Sequence, residues 1–262
     1  MNYSFTLKNW SAWMPGISSP EQWRQWAAGE LDIQHGASRP VPELAPMLRR
    51  RLSGLGKMAV GVAIAALDGA ENVPSVFSSR HGELDRTVGL LSELAQGQPL
   101  SPTHFSLSVH NAVGGVMSIA RKDTSSITAL ATSNGDFSLA ILEALAILQE
   151  GAHQQVLCVV YDEPVPEVYS ANDDNLASAP RFPYAVAFMV AASGSSCAED
   201  ELHFSIDHHS VDKGLSAPSE PQAMTLLRFV LSEQITELVL PAHRHGWHWS
   251  KSLPSDEFSI VK

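Results

Sequence analysis

Apolar and polar positions alternate with two different periods along this chain. Residues 2–8 (Asn-Tyr-Ser-Phe-Thr-Leu-Lys) alternate with period two and predict a first strand, and Pro20 to Trp26 reads as a short helix with proline at its first position. A helix-like stretch runs from Val41 to the basic triplet Arg49-Arg50-Arg51, whose cations suit a helix C-terminus. Ser53 to Leu67, rich in Ala and Gly, predicts a helix packed closely in a buried layer, followed by a strand over 74–79 and an amphipathic helix over 83–95. Phe105 to Ile119 leads into a second buried helix. Ser126 to Ala131 is apolar and β-prone, and Phe137 to Gln149 is helical, with Gly151 as its stop. Strands are predicted over 156–161, 184–192 and 202–207. Between the first two, 163–182 holds three prolines and the run Asn172-Asp-Asp-Asn175, which predicts an exposed loop. A helix over 220–233 and a strand over 235–240 follow, and 242–262 reads as a polar C-terminal tail. There is no internal repeat. Strands alternating with helices predict right-handed crossovers and a layered α/β sheet in one domain spanning 1–262.

Composition narrows the function classes. At 262 residues, 44% hydrophobic and 17% charged, the chain can bury one sizeable core. It has no apolar run long enough for a membrane span and no basic, then apolar, N-terminal leader, which predicts a cytoplasmic protein. A net charge of −11 disfavours nucleic acid, whose phosphates need clustered cations, and disfavours direct docking of an acidic carrier protein over most of the surface. The arginine triplet is the one basic cluster. Helix termination explains it better than a phosphopantetheine docking patch. Cys158 and Cys197 lack metal or disulfide spacing and read as reduced thiols.

Several groups could carry chemistry. His243-Arg-His-Gly-Trp-His248 offers three imidazoles, but no acidic or cysteine ligand stands beside them, so a solvated or interface segment is preferred to zinc. Asp207-His-His209 lacks the further aspartates that a metallophosphoesterase needs. Ser106, Ser108 and His110 fall on alternate positions of what reads as an extended piece. With no Gly-x-Ser-x-Gly elbow they are expected to satisfy backbone groups rather than form a hydrolase site. His81 and His104 could act as acid–base residues, but a hydrogen-bonded histidine at an element boundary is the commoner case. No P-loop or dinucleotide fingerprint occurs, and neither cofactor nor metal is expected.

Three blocks together are more specific than any one: Ser79-Arg-His-Gly-Glu83, Leu100-Ser-Pro-Thr-His-Phe105 and Ser108-Val-His-Asn111, followed by Ala112-Val-Gly-Gly115. They resemble the β-ketoacyl synthase N-terminal family over roughly residues 20–245, and within it the chain-length-factor subunits of type II polyketide systems, particularly those making aryl polyenes. The resemblance implies a thiolase-like fold corresponding to the N-terminal half of a ketosynthase, with the chain ending about where that half ends. Anchored on Asn111 to Gly115, the family's nucleophilic cysteine position falls on Asn134, flanked by Gly135, Asp136 and Phe137. An asparagine amide is no nucleophile and cannot hold a thioester. Nor does the chain contain blocks like the family's second-half Thr-His-Gly-Thr and Phe-Gly-Phe-Gly-Gly.

The resemblance therefore implies a noncatalytic subunit of a ketosynthase heterodimer. Its full-length partner would carry the Cys-His-His site, and acyl carrier protein would be met indirectly through that partner. Family protomers pair through the strand before the nucleophile turn. This points to His104, Phe105, Leu107, Asn111, Met117, Ile127, Ala129 and Phe137 as interface and tunnel residues, with Phe137 packing behind the others and filling acyl space. An acyl-binding or thioesterase-like enzyme using an unrecognised histidine, and a pure scaffold for the partner, are the alternatives.

Overall fold

The computed structural model describes residues 2–17, 19–32, 44–132, 137–170, 180–192, 202–210, 220–242 and 245–252. Strand β1 (Asn2–Trp13) is followed by α1 (Pro20–Ala28), α2 (Pro46–Arg49), α3 (Gly54–Leu67), β2 (Ser75–Ser78), α4 (Leu84–Ala95), α5 (Pro102–Ser106) and α6 (Ala112–Arg121). Then come β3 (Ile127–Leu130), α7 (Phe137–Gln149), β4 (Gln155–Asp162), α8 (Glu167–Ser170), β5 (Tyr184–Ala192), β6 (Leu202–Ser210), α9 (Gln222–Leu231), β7 (Glu237–Ala242) and β8 (His245–Ser252). The strands form one mixed sheet in the order β3-β2-β4-β5-β1-β6-β8-β7. β2 runs parallel to β3 and β4, and every other pairing is antiparallel.

Local chemistry sets the element ends. Ser19 caps α1 in a reciprocal capping box with Gln22, Pro20 stands at its first turn, and Gly29 closes it at φ 79°. Ser53 caps α3 through the Gly56 N–H, and a Cβ at Gly56 would lie 2.9 Å from the end of the Leu52 side chain, which would have to shift. Gly151 ends α7 in the left-handed region, at φ 77°. Within β1, Leu7 faces Val190 and Asn9 faces Met189, so Lys8 is a bulge residue. That extra residue keeps Phe5, Leu7, Trp10 and Ala12 in one core cluster and extends the strand five residues beyond its predicted end.

Two apolar layers cover the sheet. Alternation along β4 sends Val156, Cys158 and Val160 to one face, with Phe5, Phe188 and residues of α7, α9 and α1. Leu157, Val159 and Tyr161 go to the other, with α3 and α6.

Four expectations change. The helix from Val41 reduces to α2, with Val41–Glu43 outside the described residues. Ser106 ends a helix and Ser108 sits in a turn instead of an extended piece, because Pro102 after the capping Ser101 starts α5. A short helix, α8, lies inside the loop expected over 163–182. Part of the expected tail is the interior strand β8, with Trp247, Trp249 and Lys251 buried. Its indoles outweigh its polar residues because α7 and α9 offer them an apolar surface, where Trp249 Nε1 donates to Ser138 Oγ at 3.2 Å.

Candidate functional site

The carboxyl ends of the parallel strands β3, β2 and β4 meet at the loop 79–83, the position where open α/β sheets place their sites. Asp162, at the end of β4 and 2% exposed, accepts the Ser79 hydroxyl at 2.8 Å and the backbone N–H groups of Arg80 at 3.0 Å and His81 at 3.4 Å. Burial pushes its carboxyl pKa up, while these hydrogen bonds and the Arg80 charge pull it back. Ser79 Oγ in turn accepts the Gly82 N–H at 2.9 Å. Gly82 is left-handed (φ 56°), and a Cβ there would lie 2.6 Å from His110 Nδ1. The imidazole of His110 therefore rests against the loop, and its Nε2 is 2.7 Å from the Leu130 carbonyl at the end of β3.

Beside this loop a cavity of about 370 Å³ is lined by Ser53, Glu83, Asp85, Arg86, Glu93, His104 and Glu163. Glu83 is buried and doubly engaged, accepting Ser53 Oγ at 2.6 Å and Arg86 Nε at 3.2 Å. Burial, and then the negative charges of Glu83, Asp85 and Asp162, raise the Glu163 pKa to about 7. This makes Glu163 a proton-holding group. The Ser53 hydroxyl donates to Glu83 and accepts the Gly56 N–H, which fixes it as the cap of α3. His81 has a depressed pKa, through burial and then Arg80, and its buried Nε2 has no hydrogen-bond partner. Among the described residues no group of three or more His, Cys, Asp or Glu could hold a metal ion, and no helix is long and apolar enough to cross a membrane.

The expected interface residues divide into two sets. His104 and Phe105 on α5 and Asn111 before α6 are exposed, Phe105 at 60%. Leu107, Ile127 and Ala129 are half-buried. α6 presses on β3 so closely that a Cβ at Gly114 would lie 2.8 Å from the Ile127 side chain. Asn111, Ile127 and Ala129 lie on the β3 side through the packing of α6 on β3, whereas His104 lines the cavity beside Arg86 and Glu163. Met117 shares its buried cluster with Leu107 and Ile127, and Phe137 does not join them. Met117 is buried on the α3–α6 face, whereas Phe137 is buried on the opposite face, edge-to-face with Phe188 at 5.3 Å and 6.2 Å from Trp249. Phe137 cannot pack behind the others, because the sheet stands between. Asn134, Gly135 and Asp136 lie outside the described residues, as do Cys197, His243, Arg244 and the side chains of Asp207, His208 and His209. Ser106 and Ser108 satisfy backbone carbonyls, of Thr103 and Phe105, each at 2.9 Å. Burial pushes the Cys158 thiol pKa far above its usual range.

Sequence reasoning overlooked Asp162 and Glu163. The available signal was a carboxylate ending the apolar run 156–161, since a charge at that depth requires donors.

The sequence matches the family model for the β-ketoacyl synthase N-terminal domain over residues 23–250. A search of curated protein sequences returns no match. Among solved structures, a chain of the Xenorhabdus doucetiae ketosynthase (ApeO) in complex with its chain length factor (ApeC) is similar, with a TM-score of 0.77 at 29% identity over 94% of this chain and 99% of that chain. The ishigamide ketosynthase/chain length factor shares the fold at TM-score 0.61 and 14% identity, over 79% of this chain and 67% of that one. The AntDE:AntF complex of a type II PKS acyl-carrier protein with its ketosynthase does so at TM-score 0.64 and 12% identity, over 97% and 100%.

Proposed function

We propose, on the premise that this chain belongs to the β-ketoacyl synthase N-terminal domain family and has its thiolase-like fold, that it is the noncatalytic, chain-length-factor-like subunit of a type II ketosynthase. The observation that carries the reading is the form of β3. This strand ends the sheet, and the N–H groups of Ser75 and Ser79 bond to the carbonyls of Ser126 and Leu130. Ile127 and Ala129 therefore turn their backbone groups away from β2, towards an edge that no described residue pairs and that has no charge or proline in it. Phe105, Val109 and Ile119, all large and exposed, lie on the neighbouring α5–α6 segment. An open edge bordered by apolar side chains suits a second thiolase-like subunit, main-chain pairing setting register and apolar burial supplying affinity.

In this reading the partner is a full-length catalytic ketosynthase that holds the Cys-His-His site, performs the decarboxylative condensation and meets the acyl carrier protein. This subunit stabilises it and, through His104, Phe105 and Leu107, walls an acyl tunnel of the aryl polyene kind. The cysteine position on Asn134 and the deep burial of Cys158 support its inactivity.

The test is co-expression with the ketosynthase of the same biosynthetic system, followed by native mass measurement and incubation with labelled acyl carrier protein. A stoichiometric complex labelled only on the partner is expected. A well-behaved monomer that ignores the ketosynthase, or an acyl group on Cys158 or Cys197, would overturn the assignment.

A further inference from the structure

The last carbonyl of the edge strand accepts two hydrogen bonds from two different parts of the chain. Ser79 N–H donates to Leu130 O at 3.1 Å, continuing the β2–β3 ladder, and His110 Nε2 approaches the same oxygen at 2.7 Å. A carbonyl can only accept, so Nε2 carries the proton and both lone pairs of Leu130 O are used. The ring cannot slide away from this bond unopposed, because Nδ1 lies against Gly82, where even a Cβ would come within 2.6 Å. Gly82 is itself held by Ser79 Oγ, which donates to the buried Asp162 at the end of β4. The carboxyl ends of β3, β2 and β4 and the start of α6 are thus tied into one block by Leu130, Ser79, Asp162 and His110.

We propose that His110 is a positioning residue for subunit pairing: its Nε2–H fixes the carboxyl end of β3, and Gly82 is the glycine that lets the ring reach it. The proposal rests on the reading of β3 as the pairing edge. A four-residue edge strand with one ladder neighbour has few bonds of its own, so a side-chain donor at its end determines whether Ile127 and Ala129 keep a fixed register for a partner. The imidazole therefore acts through Leu130 and touches no reacting atom.

The experiment uses the full chain and the ketosynthase partner, with His110→Leu, His110→Gln and Gly82→Ala compared with the parent. Hydrogen exchange at the β3 amides is read in the chain and in the complex, and affinity for the partner is measured separately. His110→Leu should speed exchange at Thr128 and Leu130 and weaken pairing at least tenfold. His110→Gln, whose amide nitrogen can donate from a similar position, should recover most of both. Gly82→Ala should resemble the leucine variant, and it replaces that variant in the comparison should His110→Leu not fold. Unchanged β3 exchange in a folded His110→Leu chain, or a glutamine variant as impaired as the leucine one, would overturn the clamp. If the parent itself fails to pair, the pairing reading falls, and the exchange data still decide whether the clamp exists.

Discussion

The two edges of the sheet are built in opposite ways. β7, at one end, carries the exposed Glu237 and places Pro241, which has no N–H to offer, within its six residues. Inside it β8 buries Trp247 and Trp249, and Lys251 donates its ammonium to the carbonyls of Phe229, Val230 and Ser232 at the end of α9. β3, at the other end, is Ile-Thr-Ala-Leu, with neither charge nor proline, and α6, with its exposed Ile119, packs on it. A protein stays free of edge-to-edge association by blunting its edges. Among the described residues, one blunted edge and one open edge fit the pairing proposed at β3.

The largest effect on pairing is expected from giving β3 the character of β7. Ala129→Pro removes an N–H that points away from β2 and spares the inward ladder. It should lower affinity for the ketosynthase partner by about 100-fold or more, as measured by titration of the purified proteins, while the lone chain becomes more soluble. A folded variant with parental affinity would move the interface elsewhere. Next comes Phe137→Ala, which opens a cavity between Phe188 and Trp249 at a cost of about 3–5 kcal/mol. Chemical denaturation should show that loss, on the face of the sheet away from Met117. If stability is unchanged and only product length shifts, the ring belongs to an acyl tunnel and not to the core.

Phe105→Ala should do the reverse of Phe137→Ala. The ring is 60% exposed, so the melting temperature of the lone chain should hold nearly steady, whereas pairing weakens by about 1–2 kcal/mol and the product distribution of the complex shifts. An intact Phe105→Ala complex with parental affinity and parental products would leave only the scaffold role. The smallest effect concerns pH. The Glu163 carboxyl titrates at about 7 in the folded protein against an ordinary 4.5, so the native state holds more protons through that window. Its contribution to stability is present below pH 4.5 and is lost as pH rises towards 7. Glu163→Gln should flatten this part of the stability–pH curve and stabilise the protein at pH 8. A parental slope in the variant would place the titration elsewhere.

Legibility varied with the distance over which each element is determined. α7 was readable to the residue, because Phe137, Ile141, Ala144 and Leu148 keep helical spacing and Gly151 ends the run. β4 and β5 were readable because strands buried on both faces are apolar without interruption. The Ser79–Glu83 block was visible as a motif, but its work was not. Ser79 meets Asp162 across 83 residues, and no local pattern reports such a pairing. β8 was misread although Trp247, Trp249 and Lys251 alternate, because three imidazoles and a lysine look solvated until α9 supplies carbonyls for the ammonium.

By itself the sequence determined the order and kind of most elements, a layered α/β sheet, the family resemblance and the asparagine at the cysteine position. All of these rest on local periodicity, caps or short motifs. The tertiary structure decided that Met117 and Phe137 stand on opposite faces, that β3 and β7 are the two edges of the described sheet, and that His110 and Ser79 share one carbonyl. Each of those facts is a relation between residues distant in the chain, set by strand order and crossover, and a linear pattern contains no term for it.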